Sequence, residues 1–299
     1  MSSRIRHLAL YTENQQGMSS FYKTVFGMKR ITESFNQPNH GHISDGVIGL
    51  AVLRRRPGFH AALDHFGFEV DDVGTILEKL KNKYPKVLVT KGLEQVAFAV
   101  FRSHDPAGTQ FDISWKQHPK VQEGYKDDGW RQARQINHIA IRSSEPERVA
   151  EFYHEVFDLK EGKNLFDEDA LSVTDGTVDL IIRRTSNHSY MSMREGIDHF
   201  GYAVESIEQV KNDVAEFGRA HPEATPKELA GGVFGHITQE DIDGCKIGES
   251  AIADPMGCSW ICPSVRRRFL RSKKSESNTE AQRAQRLSAA LLCVSAPLW

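Results

Sequence analysis

Two histidines of this 299-residue chain occupy the same local setting, Leu63-Asp64-His65-Phe66-Gly67-Phe68-Glu69-Val70 and Ile197-Asp198-His199-Phe200-Gly201-Tyr202-Ala203-Val204. Imidazole is the commonest metal ligand and a proton carrier near neutral pH, and in both copies a carboxylate precedes it. The alternation reads as a half-buried strand, with Phe66, Phe68 and Val70 toward a core and His65, Gly67 and Glu69 on the other face. Two further histidines lie in strand-like runs of their own, His7 within Ile5–Thr12 and His138 within Asn137–Ile141. A lone histidine in a strand is ordinarily a hydrogen-bonded structural residue. Four at repeated positions are a different matter, since imidazoles recurring at matched places are the donor type that divalent cations use.

The runs that carry these residues recur in a fixed order. After the Ile5–Thr12 strand comes a helical pattern at Met18–Gly27, with Phe21 and Val25 on one face and Gly27 as the stop. Strands follow at Lys29–Ser34, His42–Ser44 and Val47–Arg54, the last two joined by the Asp45-Gly46 turn. The order restarts with the His65 strand, a helix at Val73–Lys83, and strands at Lys86–Thr90, Val96–Arg102 and Thr109–Trp115, turning at Asp105-Pro106-Ala107-Gly108. Past a polar stretch holding Pro119, Gly124 and Gly129, Asn137–Ile141 repeats the first strand and Val149–Phe157 repeats the first helix, down to its Phe-Tyr and Val-Phe pairs. Asp175-Gly176 and Asp254-Pro255-Met256-Gly257 repeat the two turns. Such self-similarity implies four copies of one strand-helix-strand-strand-strand module. The expected organisation is a domain at 1–118, a linker at 119–134, a second domain at 135–264 and a tail at 265–299. That tail reads as disordered or loosely helical, an amphipathic helix near Ala281–Leu292 being one form it could take.

A formal charge of -2 gives no basic field for nucleic acid, and no apolar run reaches the roughly 18 residues of a membrane span. The four cysteines, Cys245, Cys258, Cys262 and Cys293, all fall late in the chain, and no secretory pattern precedes Arg4. A cytoplasmic protein with free thiols is the expectation. Its partner is expected to be a small molecule, with a homo-oligomer left open.

Paired strand-helix-three-strand modules, each with a histidine in its first strand, together with Asp-Pro-x-Gly hairpins and Phe-Tyr helices, resemble the vicinal oxygen chelate superfamily over residues 4–264. That superfamily includes glyoxalase I, methylmalonyl-CoA epimerase, extradiol ring-cleaving dioxygenases, and fosfomycin and bleomycin resistance proteins. The resemblance implies an α+β fold of four βαβββ modules paired into two open barrels, each around a divalent metal. Four modules in one chain are most similar to the dioxygenase branch.

Carried over position by position, the resemblance implies His7, His65 and Asp112 as ligands in the first domain, with Gly49 at the fourth place. In the second domain it implies His138, His199 and Asp179, with Ile261 standing where Asp112 would be. Two imidazoles and one carboxylate match the facial triad of non-haem Fe(II) oxygenases, whereas four protein ligands suit Zn, Ni or Co as a Lewis acid. The implied activity is therefore an extradiol-type dioxygenase using Fe(II) and dioxygen on a catechol-like or other small molecule with adjacent oxygens. Mn, Zn, Ni and Co are the alternative metals. A lyase, isomerase or epimerase of the glyoxalase kind and a metal-free resistance-type binding protein are the rival readings.

One departure bears on the reaction. Extradiol enzymes carry a tyrosine three residues before the Asp-Pro-x-Gly turn, and here those places hold Arg102 and Ala251. An acid or base must then come from elsewhere, with His236 the candidate in the second cavity and His104 in the first. Glu69, Gln110 and Arg142 share the ligand faces and are the expected substrate contacts. Phe21-Tyr22 and Phe152-Tyr153 read as core, and the Asp-Pro pairs as turn chemistry.

Overall fold

The computed structural model describes residues 3–30, 41–55, 62–125, 129–162, 170–185 and 195–222, with strand fragments at 252–253, 260–261 and 290–295. The first half runs β1 (Ser3–Thr12), α1 (Gln15–Phe26), β2 (Lys29–Arg30), β3 (Gly41–Ser44), β4 (Gly49–Arg54), and then β5 (Leu63–Val70), α2 (Val73–Lys83), β6 (Thr90–Lys91), β7 (Phe101–His104), β8 (Gln110–Trp115). These strands make one sheet in the order β2-β3-β4-β1-β5-β8-β7-β6. Two βαβββ modules thus meet along the antiparallel β1–β5 pair.

A short helix α3 (Pro119–Gly124) leads to β9 (Gln135–Ser143), α4 (Pro146–Phe157), β10 (Lys160–Glu161), β11 (Leu171–Thr174) and β12 (Asp179–Arg184). The last module contains β13 (Gly196–Val204), α5 (Ile207–Ala220), β14 (Ile252–Ala253), β15 (Trp260–Ile261) and β16 (Ala290–Ser295). The second sheet has the matching order, β10-β11-β12-β9-β13-β16-β15-β14. The α+β architecture of four modules in two open sheets is the one expected.

Local chemistry sets the helices. Asn14 caps α1 by accepting from Gly17 N–H at 2.8 Å, and Gly27 ends it in a left-handed conformation at φ 67°, as a C-terminal glycine does without steric cost. The buried face of α1 holds Phe21, Tyr22, Val25 and Phe26, and that of α4 holds Phe152, Tyr153, Val156 and Phe157. These faces join the two halves. Phe26 stacks on Tyr202 with centroids 4.1 Å apart, and Phe157 stacks on Phe68 at 3.8 Å. Each half's first helix therefore packs against the histidine strand of the other half, and the buried apolar residues form one continuous core.

The Asp-Gly turns reinforce this exchange. Asp45 Oδ1 accepts from Val47 and Ile48 N–H at 2.8 Å each, closing its own hairpin, while its Oδ2 accepts from Ile136 N–H in β9. Asp175 does the same in reverse, closing its hairpin through Thr177 and Val178 and accepting from Ile5 N–H in β1 at 2.8 Å. Ile5 and Ile136 each lie two residues before a first-strand histidine, so the turn of one half sets the strand that carries the other half's histidine.

Three expectations need correcting. Residues 96–100 are not a strand: turns and a bend occupy 94–98, and Phe98 takes φ 57°, because its ring leaves the sheet to stack on His7. The 119–134 stretch is not free chain. It contains α3, Gln132 Nε2 donates to Phe26 O at 2.9 Å, and the Gly46 turn lies against Trp130. In the tail, Ala290–Ser295 is a strand, pairing antiparallel to β13; the apolar run Leu291–Val294 is too short for periodicity to tell strand from helix. The rest of the tail lies outside the described residues.

Replacing Asp175 with alanine leaves the N–H groups of Ile5, Thr177 and Val178 without their acceptor, and is expected to cost about 1–3 kcal/mol of stability. A urea unfolding midpoint equal to that of the unmodified chain would contradict the role given to this turn.

Candidate metal centre

In the first domain His7 comes from β1, His65 from β5 and Asp112 from β8, and strand pairing lines them up. His7 lies opposite Gly67 in the β1–β5 pair, and Gly67 lies opposite Asp112 in the parallel β5–β8 pair. The two imidazoles face each other, Nε2 to Nε2, at 3.3 Å. His65 Nε2 is 3.2 Å from Asp112 Oδ2. His7 and His65 are each 4% exposed and Asp112 is 1% exposed. Their ligand atoms all lie within 4.8 Å of one another, the one such group among the described residues.

The surroundings fix the donors. Asp64 Oδ2 is 2.6 Å from His65 Nδ1; a carboxylate accepts only, so Nδ1 carries a hydrogen and the ring is turned to direct Nε2 at Asp112 and His7. His7 is stacked on Phe98, 5.0 Å between centroids and 2° between planes, and its Nδ1 is buried without a hydrogen-bond partner. Burial and then the neighbouring His65 hold the His7 pKa well below its usual value, so His7 is neutral. Burial also opposes a charge on His65, but Asp112 and Asp64 outweigh it and raise its pKa. Burial pushes Asp112 up, yet His65 and Arg102 prevail and hold it below the ordinary carboxylate range. A neutral imidazole, an imidazole oriented by Asp64 and an ionised carboxylate are donors that suit a divalent cation, which would take His65 Nε2 in place of any proton shared there with Asp112.

Glycine makes the convergence possible. A Cβ on Gly201 would overlap the His138 ring, with Nε2 only 2.6 Å away, and one on Gly67 would press on His7 and Phe98 at 3.1 Å. A Cβ on Gly49, opposite His7 in β4, would collide with the Tyr125 hydroxyl, with Cζ at 2.8 Å. The fourth family position is thus covered by a tyrosine from the end of α3, a residue that sequence reasoning passed over because its stretch read as linker.

Sequence reasoning also missed the part played by Arg102. From β7, opposite Asp112 in register, it donates Nε–H to Asp112 Oδ1 at 2.6 Å and Nη2–H to Oδ2 at 3.0 Å. Nη2 is 3.1 Å from His65 Nδ1 and 3.2 Å from Nε2, so it lies against the ring as a whole instead of along one lone pair. The departure from tyrosine was legible at this position, but not its grip on a ligand.

Of the expected substrate contacts, Glu69 is buried with Arg6 Nε 3.6 Å away, Gln110 is exposed at the start of β8, and Arg142 is bound to Asp198. His104 is held in its turn, accepting from Leu88 N–H through Nε2 at 3.1 Å and donating Nδ1–H to Asp105 O at 2.7 Å. His236 lies outside the described residues.

The second cavity is built differently. His138 and His199 meet edge to face at 5.5 Å, and Asp198 accepts from His199 Nδ1 at 2.9 Å, as Asp64 does in the first. His199 Nε2 is buried without a partner. Asp179 is opposite His138 in register, the place Gly49 holds opposite His7, but it completes no cluster of the first kind among the described residues. Arg142 Nη2 and Arg183 Nη1 grip Asp198 at 2.7 and 3.3 Å; against burial, Arg142, then His199 and Arg183, hold its pKa far below normal. Ile261 does not flank β13; it sits in β15 opposite Ile252. The register position corresponding to Asp112, opposite Gly201, belongs to Cys293 of β16.

The family model for the Glyoxalase/Bleomycin resistance protein/Dioxygenase superfamily matches residues 4–113 and 135–260. No curated relative matches the sequence. Among solved structures, the 2,3-dioxygenase LapB from Pseudomonas sp. KL28 is similar at TM-score 0.53 and 14% identity, over 85% of this chain and 89% of that one. The Mn(II)-bound glyoxalase from Novosphingobium aromaticivorans is similar at TM-score 0.51 and 14% identity, over 88% of this chain and 79% of that one. A xylose isomerase-like TIM barrel/4-hydroxyphenylpyruvate dioxygenase fusion protein reaches TM-score 0.50 at 14% identity, and 94% of this chain spans 51% of that longer protein. At such identities the likeness is one of fold.

Gly201→Ala is expected to destabilise the chain by about 1–3 kcal/mol, the cost of overpacking, and Gly67→Ala by less, since its contacts are looser. Chemical denaturation of both variants tests this ordering. A harmless Gly201→Ala would mean that His138 does not rest on that strand.

Proposed function

Because this chain belongs to the Glyoxalase/Bleomycin resistance protein/Dioxygenase superfamily, we propose that its first domain holds one divalent metal on His7, His65 and Asp112 and acts on a small molecule with adjacent oxygens. The convergence of two imidazole Nε2 atoms and one buried carboxylate carries this reading. The metal favoured is Fe(II), since two imidazoles and one carboxylate leave open positions in the pattern of non-haem iron oxygenases; the reaction is then an extradiol-type dioxygenation with dioxygen as co-substrate. When bound, the ion would supply Lewis acidity and a redox path between substrate and dioxygen. Mn, Zn, Ni or Co would supply Lewis acidity alone or with different redox behaviour.

The chain's own residues do the rest. Asp64 keeps the His65 proton on Nδ1, Phe98 shields one face of His7 from water, and Arg102 holds Asp112 in place. A glyoxalase-like isomerase or lyase is the second reading, favoured by one observation: Arg102 stands where ring-cleaving enzymes have tyrosine, and the nearby His104 is committed to its turn. No helix among the described residues is long and apolar enough to cross a membrane, and a reducing cytoplasm is the setting we assign.

Loading the chain with Fe(II) without oxygen, then measuring bound iron and oxygen uptake over a panel of catechols, tests the reading. The expected result is one iron per chain, lost in His7→Ala/His65→Ala and kept in His138→Ala/His199→Ala, with uptake on at least one catechol. Iron without uptake transfers the assignment to the isomerase, and iron retained by the first double variant refutes the ligand set. Asp64→Asn is expected to weaken metal binding about 10–100-fold, the usual effect of removing a ligand's orienting partner; titration with Co(II), followed by its absorption, reads this directly.

A further inference from the structure

We propose that Arg102 is the second cation of the site, holding Asp112 in place and offering its remaining N–H groups to the substrate, which is bound in ionised form. The inference rests on the metal site of the preceding section. Three observations carry it.

First, the guanidinium fork is asymmetric about Asp112. Nε takes Oδ1 at 2.6 Å, while Oδ2, the oxygen facing His65, has the longer contact at 3.0 Å. The fork holds both oxygens, Oδ1 the more closely, so the carboxylate is kept from turning, and Oδ2 is the oxygen directed toward His65 Nε2 at 3.2 Å. Second, Arg102 and its acceptor differ in exposure: the Asp112 side chain is 1% exposed and that of Arg102 37%. Part of the Arg102 side chain is therefore open to solvent, and its other nearby carboxylate, Asp64, is 3.9 Å from Nη1. Third, the charges do not balance without an anion. Two carboxylates, Asp64 and Asp112, face one guanidinium, and a divalent ion added to them leaves the cluster positive. A substrate with one of its adjacent oxygens ionised restores the balance, whereas a neutral tyrosine at this position would ask for less.

The second cavity shows that the arrangement is particular to the first. There the arginines Arg142 and Arg183 grip Asp198, the residue behind His199, and not a residue in the position of a ligand.

The consequence is electrostatic. A cation within about 4–6 Å lowers the pKa of an acid by 1–3 units, so a hydroxylic substrate chelated beside Arg102 loses its protons to solvent at lower pH than the metal alone would cause. The probe is 4-nitrocatechol, whose colour reports its ionisation, bound to the Zn(II)-loaded chain, in which no oxidation competes. In Arg102→Met, the pH at which the bound probe ionises is expected to rise by about 1–3 units and its dissociation constant to rise about tenfold or more. Arg102→Lys, which keeps the charge, is expected to restore the ionisation but not the full affinity.

Zn(II) affinity, measured separately, distinguishes this from a merely structural role, which would weaken the metal without moving the ionisation of probe that is still bound. Zn(II) uptake with the probe ionising at the same pH in both proteins overturns this inference alone. Zn(II) bound by Arg102→Met and refused by the unmodified chain also overturns it, since the guanidinium would then block the metal. If neither form takes Zn(II), the metal-site reading falls and this inference with it.

Discussion

Each first-strand histidine reaches its partner by resting on the glycine of the neighbouring Asp-His-Phe-Gly strand. The His138 ring covers Gly201 so closely that a Cβ would overlap it, and His7 lies against Gly67. This close approach gives every residue of the repeated motif a physical task. The aspartate sets the histidine tautomer, the histidine offers Nε2, the phenylalanine buries its ring in the core, and the glycine leaves room for the other imidazole. A motif that reads as a sign of duplication is thus also the joint between two modules.

The joint would be of little use if the strands could slide, and the two halves prevent this reciprocally. Asp175 reaches across to Ile5 and Asp45 to Ile136, so each hairpin turn pins the strand that carries the other half's first histidine. The stacked pairs Phe26–Tyr202 and Phe157–Phe68 bury the same exchange in aromatic surface. Neither half supplies all the contacts that hold its own histidines, which is why the core runs through both.

Much of this was legible in the sequence, because duplication displays each element twice. The strands around His7, His65, His138 and His199 and the bounds of α2 at Val73–Lys83 follow from alternation and repeat position, while the grouping of Asp112 with His7 and His65 was implied by the resemblance to the family. The failures have specific causes. Phe98 reads as a strand residue, but its side chain gains a stack on His7 by leaving the sheet. Tyr125 reads as linker, yet it fills the space over Gly49. Ala290–Ser295 has no counterpart in the repeat, so nothing in the pattern announces it as the neighbour of β13. Arg102 was visible as a departure, but its partner is set by the β7–β8 register, which no local pattern specifies.

The two cavities have diverged around a common frame. The first gathers two imidazoles and a carboxylate and adds a guanidinium; the second keeps the histidine pair, has Asp179 opposite His138 in register and commits its arginines to Asp198. The metal proposed above therefore belongs with the first domain, where the three donors converge. Anomalous diffraction from crystals soaked with Fe(II) without oxygen tests that assignment directly. The account predicts one strong iron peak between His7, His65 and Asp112. A map with iron at His138 and His199 and none at His7 and His65, or with none at either pair, would contradict it.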